Sequence, residues 1–91
     1  MMTFSEILTS IILDLNQCGF VNEADDLQRL ANLALDEDES PNTRHDALKQ
    51  IEMRCHVKWL GDLFLPHLSQ NDWWGKLEKL RNLTRKKRQF I

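Results

Sequence analysis

The stretch Arg54-Cys55-His56-Val57-Lys58-Trp59-Leu60-Gly61-Asp62-Leu63-Phe64-Leu65-Pro66 decides the architecture, because the chain on either side of it reads as helix. Ala47, Leu48, Ile51 and Cys55 form an apolar stripe that continues at Trp59 and Leu63, the spacing of one long helix starting at Pro41. Against an unbroken helix, β-branched Val57 weakens helical preference, and Gly61 suits a place where another helix passes closely. The reading adopted is a bend near His56-Val57 followed by a short helix that Pro66 stops.

Working outward, Thr3-Phe4-Ser5-Glu6 predicts a capping box, and Phe4, Ile7, Leu8, Ile11, Ile12, Leu15 and Cys18 follow on one helical face. Gly19 should close that helix. Asn22 is the expected cap of a second helix, whose inner face is Ala24, Leu27, Leu30, Ala31, Ala34 and Leu35. Ser40-Pro41 starts the third, and Ser69 with Asp72 starts a last helix with inner face Trp73, Trp74, Leu77, Leu80 and Leu83 or Thr84. Short connections make neighbours antiparallel. The predicted fold is all-α: a compact antiparallel bundle of four to five helices, one domain over residues 1–91, with residues 85–91 a frayed basic tail.

Composition agrees with this. Ninety-one residues can bury roughly two-thirds of their unfolded surface, enough for one core. Three glycines, two prolines and no tyrosine favour helices over a sandwich. The longest apolar run, Ile11-Ile12-Leu13, falls far short of the ~20 residues of a membrane span. The segment before it carries Glu6 and no Lys or Arg, unlike a secretory signal, so the cytoplasm is the expected compartment and no membrane partner is expected. Cys18 and Cys55 both fall on apolar faces and read as reduced structural thiols.

Charge is distributed unevenly. Residues 1–40 hold nine acids against Arg29, a net −8, whereas residues 41–91 hold eleven bases against five acids, a net +6. Such asymmetry points to a charged macromolecular partner. The run Asp36-Glu37-Asp38-Glu39 sits at a helix C-terminus, where the dipole disfavours negative charge. A solvated loop is the leading interpretation of such a run, and its unfavourable position keeps a binding element as the alternative.

Catalytic constellations are weak. Cys55 and His56 are adjacent, so on a helix their side chains point about 100° apart and cannot act as nucleophile and base; Cys55 would have to find His45 or His67. No catalytic residues are expected. Cys18, His45, Cys55, His56 and His67 lack the close ligand pairs of a zinc site, so no metal and no cofactor are expected. The basic last helix with Trp74 supports an alternative, a small nucleic-acid-binding regulator in which Lys76 to Arg88 track a backbone and the indole stacks on bases.

The block Cys55-His56-Val57-Lys58-Trp59-Leu60-Gly61-Asp62-Leu63-Phe64-Leu65 followed by Trp73-Trp74, with the acidic first half, resembles small helical bacterial immunity proteins of polymorphic toxin and contact-dependent growth inhibition systems. The resemblance implies a cognate protein toxin domain, a nuclease such as an RNase, neutralised in a heterodimer without catalysis. Charge layout nominates Glu23, Asp25, Asp26, Asp36, Glu37, Asp38 and Glu39 as the toxin-binding acids, with Trp74 as an aromatic anchor.

Overall fold

Thr3 and Glu6 form the predicted capping box in the computed structural model, which describes residues 2–90. The Thr3 hydroxyl accepts the Glu6 amide at 3.2 Å, and the Glu6 carboxylate accepts the Thr3 amide at 3.1 Å. That backbone donor holds the Glu6 carboxyl below its ordinary range. The helix so started, α1 (Phe4–Gln17), buries Phe4, Ile7, Leu8, Ile11 and Leu15. Gly19 ends it with a φ of 81°, and the Gly19 and Phe20 amides return to the Asn16 and Leu15 carbonyls at 3.1 and 2.9 Å. These are the two hydrogen bonds of a Schellman motif, which needs a left-handed residue at Gly19.

That motif also explains one departure from expectation. The helix α2 (Val21–Leu35) is capped by Phe20, without a side-chain hydrogen bond, and not by Asn22. The turn delivers the chain directly into a helix, and Phe20 fixes its entry by packing against the core. Ala24, Leu27, Leu30, Ala31 and Ala34 are buried, whereas Leu35, expected inside, is exposed at the last turn.

Ser40 caps α3 (Pro41–Arg54) through the Thr43 amide at 3.2 Å, with Pro41 in the first turn. The bend predicted near His56 comes at Cys55, which ends the helix, and a single 3-10 turn, Leu60–Asp62, follows. The stripe therefore breaks after Cys55: Trp59 is 47% exposed and only Leu63 of the predicted continuation packs on the core. Ser69 caps α4 (Gln70–Arg88) through the Asp72 amide at 3.1 Å. Trp73, Leu77, Leu80 and Thr84 are its buried residues. The helix continues past residue 85, where a frayed tail was expected to begin, as far as Arg88, and Arg85 and Arg88 both reach Glu52 of α3. Ile91, the end of that expected tail, lies outside the described residues.

The result is an all-α bundle whose helices form a ring, α1 on α2, α2 on α3, α3 on α4 and α4 on α1, which leaves α2 and α4 diagonal to one another. The radius of gyration, 12.6 Å, is close to the about 12 Å of a single domain this long. No helix among the described residues is long and apolar enough to cross a membrane.

The irregular segment between α3 and α4 is held by two indoles in tandem. Trp73 Nε1 donates to the Leu60 carbonyl at 2.8 Å and Trp74 Nε1 to the Gly61 carbonyl at 3.0 Å. Gly61 is buried where a Cβ would meet the His56 carbonyl, Val57 and the Trp74 indole at 3.3 to 3.4 Å. The tightest of these contacts come from the segment itself, with the Trp74 indole of α4 next. Trp73→Phe keeps an aromatic in the core but removes the buried donor, so it should destabilise the fold by about 2 kcal/mol. Trp74→Phe should cost under about 1 kcal/mol, because Gly61 keeps a second donor in Gln70 Nε2 at 3.1 Å. Urea denaturation checks the order, and equal losses would contradict it.

Candidate functional site

Three carboxylates are consumed inside the molecule, each by two basic side chains. Asp14 of α1 is buried beneath His67, whose Nε2 lies 2.9 Å from its Oδ1, and Lys76 of α4. Asp26 of α2 accepts from Arg54 of α3 at 2.7 Å and from Arg29 at 3.2 Å. Glu52 of α3 holds Arg85 and Arg88, the latter at 3.1 Å. These clusters join three of the four neighbouring helix pairs, and they divide the predicted site.

Asp26 leaves the proposed acidic surface first. The Arg54 guanidinium holds its carboxyl below the ordinary range, with Arg29 adding to the effect. Arg54 also lies over the Trp59 ring, 4.4 Å from its centroid. Its charge is therefore spent on joining α2 to α3.

The other nominated acids, Glu23, Asp25, Asp36, Glu37, Asp38 and Glu39, make no ion pair among the described residues. Asp25 and Asp36 lie on the outward strip of α2 with Gln28, Arg29, Asn32 and Leu33, around one shallow concavity. The run Asp36 to Glu39 projects from its end, and all but Glu39 of that run are exposed. Asp36 also shapes the turn into α3, since its carboxylate accepts the Asp38 amide at 2.9 Å. The helix end it occupies receives a cation after all, because Arg44 Nε donates to the Ala34 carbonyl at 3.1 Å.

Trp74 does not join this ridge. It sits on α4, diagonal to α2. The aromatic connected to the acidic helix is Trp59, through Arg54 and Asp26. Sequence reasoning missed Trp59 because the stripe spacing placed it in the core.

Burial pushes the Cys55 thiol up to about 12, and no imidazole serves it. His56 Nδ1 accepts the Lys58 amide at 3.1 Å, and His67 Nδ1 lies 3.3 Å from Cys18 Sγ. Among the described residues no three His, Cys, Asp or Glu side chains are grouped to hold a metal ion. The His67 contacts were not anticipated: Asp14 and Cys18 share a face of α1 four residues apart, but His67 reaches them across 49 and 53 residues of chain.

Asp26→Asn tests the internal assignment. A carboxyl with a depressed pKa contributes stability above its unfolded value and loses it as pH falls through the folded value. The variant should be less stable by about 1 kcal/mol at pH 7, and the difference should shrink progressively as pH falls below the ordinary carboxyl range; a constant difference would show that charge is not the cause. No protein-family model, no curated protein and no solved structure matches this chain.

Proposed function

We propose that this protein is a cytoplasmic, non-enzymatic inhibitor that binds a cognate toxin domain, a nuclease, and covers its basic substrate groove. The observation that supports this reading is the ridge of unpaired carboxylates formed by Asp25 and Asp36 to Glu39, with Glu23 beside it. Arg29 lies within the ridge, paired with Asp26, and Arg44 caps the Ala34 carbonyl at its end, but other bases are held away from it. Arg54, Lys76, Arg85 and Arg88 each bind an internal acid, and α4 lies diagonal to the ridge.

A nuclease binds phosphates with lysines and arginines in a groove, and an acidic ridge offers the same groove carboxylates. Complementary fields speed encounter and select the right partner. The ridge alone is too polar for a tight complex, which needs a desolvated aromatic or arginine anchor. Trp59, half-exposed under Arg54, is placed to supply it. Inhibition then requires only occlusion.

The nucleic-acid alternative draws less support. Lys76, Arg85 and Arg88 are committed to Asp14 and Glu52, which leaves Lys79, Arg81, Lys86 and Lys87 without an ion pair among the described residues, and Trp73 is 1% exposed. Trp74 is half-exposed, but its indole N–H is engaged by Gly61.

Co-expression with the C-terminal toxin domain encoded beside this chain should restore growth and yield a complex on gel filtration; persistent toxicity and no complex would reject the proposal. Replacing Asp36, Glu37, Asp38 and Glu39 by lysine should slow association at low salt by about tenfold or more and much less at high salt. Unchanged association would remove the segment from the interface. Salt-sensitive retardation of RNA by the free protein would favour the alternative.

A further inference from the structure

Cys18, His67 and Asp14 form a chain of contacts that the toxin-binding reading does not use. Cys18 Sγ lies 3.3 Å from His67 Nδ1, and His67 Nε2 lies 2.9 Å from Asp14 Oδ1. Asp14 and Cys18 are one turn apart on α1, and His67 is presented between them by the turn that the Leu68 amide closes onto the Leu65 carbonyl at 3.1 Å. A carboxylate accepts only, so His67 Nε2 must carry hydrogen, and in the neutral imidazole Nδ1 is left as a lone pair facing the thiol. Nucleophile, base and orienting acid are thus in sequence, the arrangement that activates a thiol.

The surroundings limit what such a thiol can do. Acyl transfer needs free amides to hold an oxyanion. Here the Cys18 amide donates to Asp14 and Leu15, the Gly19 amide to Asn16 and the Phe20 amide to Leu15. Each is consumed by the helix end. Attack on a sulfur atom builds no oxyanion and needs only a thiolate with an open approach. Cys18 is partly exposed and the His67 side chain is 37% exposed.

We propose that Cys18 is a thiolation site that exchanges with small-molecule disulfides such as oxidised glutathione, with His67 as its base and Asp14 as a positioning residue. The Cys18 proton passes to His67 Nδ1 as the sulfur attacks one sulfur of the disulfide. A new S–S bond forms, the old one breaks, and the departing thiolate takes the proton from His67. Cys18 is oxidised and one equivalent of small thiol is released reduced. The modification replaces the Cys18 to His67 contact, which ties the end of α1 to the segment before α4.

The test is incubation of the folded protein with oxidised glutathione, followed by intact mass and peptide mapping. One adduct should appear, on Cys18, while buried Cys55 stays free until denaturant is added. His67→Gln should slow the reaction by roughly tenfold at pH 7, and the two rates should converge near pH 10, where hydroxide can take the thiol proton in place of the imidazole. A purely structural effect of the substitution would leave the same ratio at both pH values. Equal rates at pH 7, a ratio independent of pH, or labelling of Cys55 as fast as Cys18 would each overturn the proposal.

Discussion

The two indole N–H groups of Trp73 and Trp74 and the consecutive carbonyls of Leu60 and Gly61 hold together the part of the chain that has no repetitive structure of its own. Between Cys55 and Ser69 the backbone makes one 3-10 turn and a few isolated turns, so its carbonyls need partners from outside. Side chains at successive positions of a helix point in different directions. Trp73 therefore serves the buried carbonyl and Trp74 the one at the rim. This clamp sets where α4 begins, and with it the position of Lys76 over Asp14 and of Arg85 over Glu52. The glycine at 61 is what lets the indole come close enough.

Electrostatics then divides the surface. Asp14, Asp26 and Glu52 each gather two bases at a helix junction, and those clusters remove cations that could otherwise have screened the first half of the chain. Six of the acids that remain, Glu23, Asp25 and Asp36 to Glu39, stand on α2 and the turn after it. A negative ridge is thus a consequence of how the bundle is joined. Single exposed ion pairs contribute little to stability, but these are shared and partly buried, and they connect helices that short loops alone would leave free to slide.

Much of the helical order was legible from local signals. Thr3 with Glu6, Gly19, Ser40-Pro41 and Ser69 act through backbone groups within four residues, so their roles survive whatever the tertiary context. The expected Asn22 cap failed because the Gly19 turn had already set the chain's direction. Trp59 was misplaced because period alone cannot show that Cys55 ends a helix. The acidic run was visible, yet the loss of Asp26 to Arg54 was not, since it depends on which helix lies beside which. The same holds for His67: a histidine's role is set by its partners in space, and here both are half a chain away.

A hydrogen-exchange footprint of the complex with the toxin domain proposed as its partner tests the central claim most directly. The account predicts slowed exchange of amides in the outer strip of α2 and in the Asp36 to Glu39 turn, reaching toward Trp59, with the outward face of α4 unchanged. Protection confined to α4 and the Trp74 rim, with residues 36–39 exchanging as in the free protein, would contradict it.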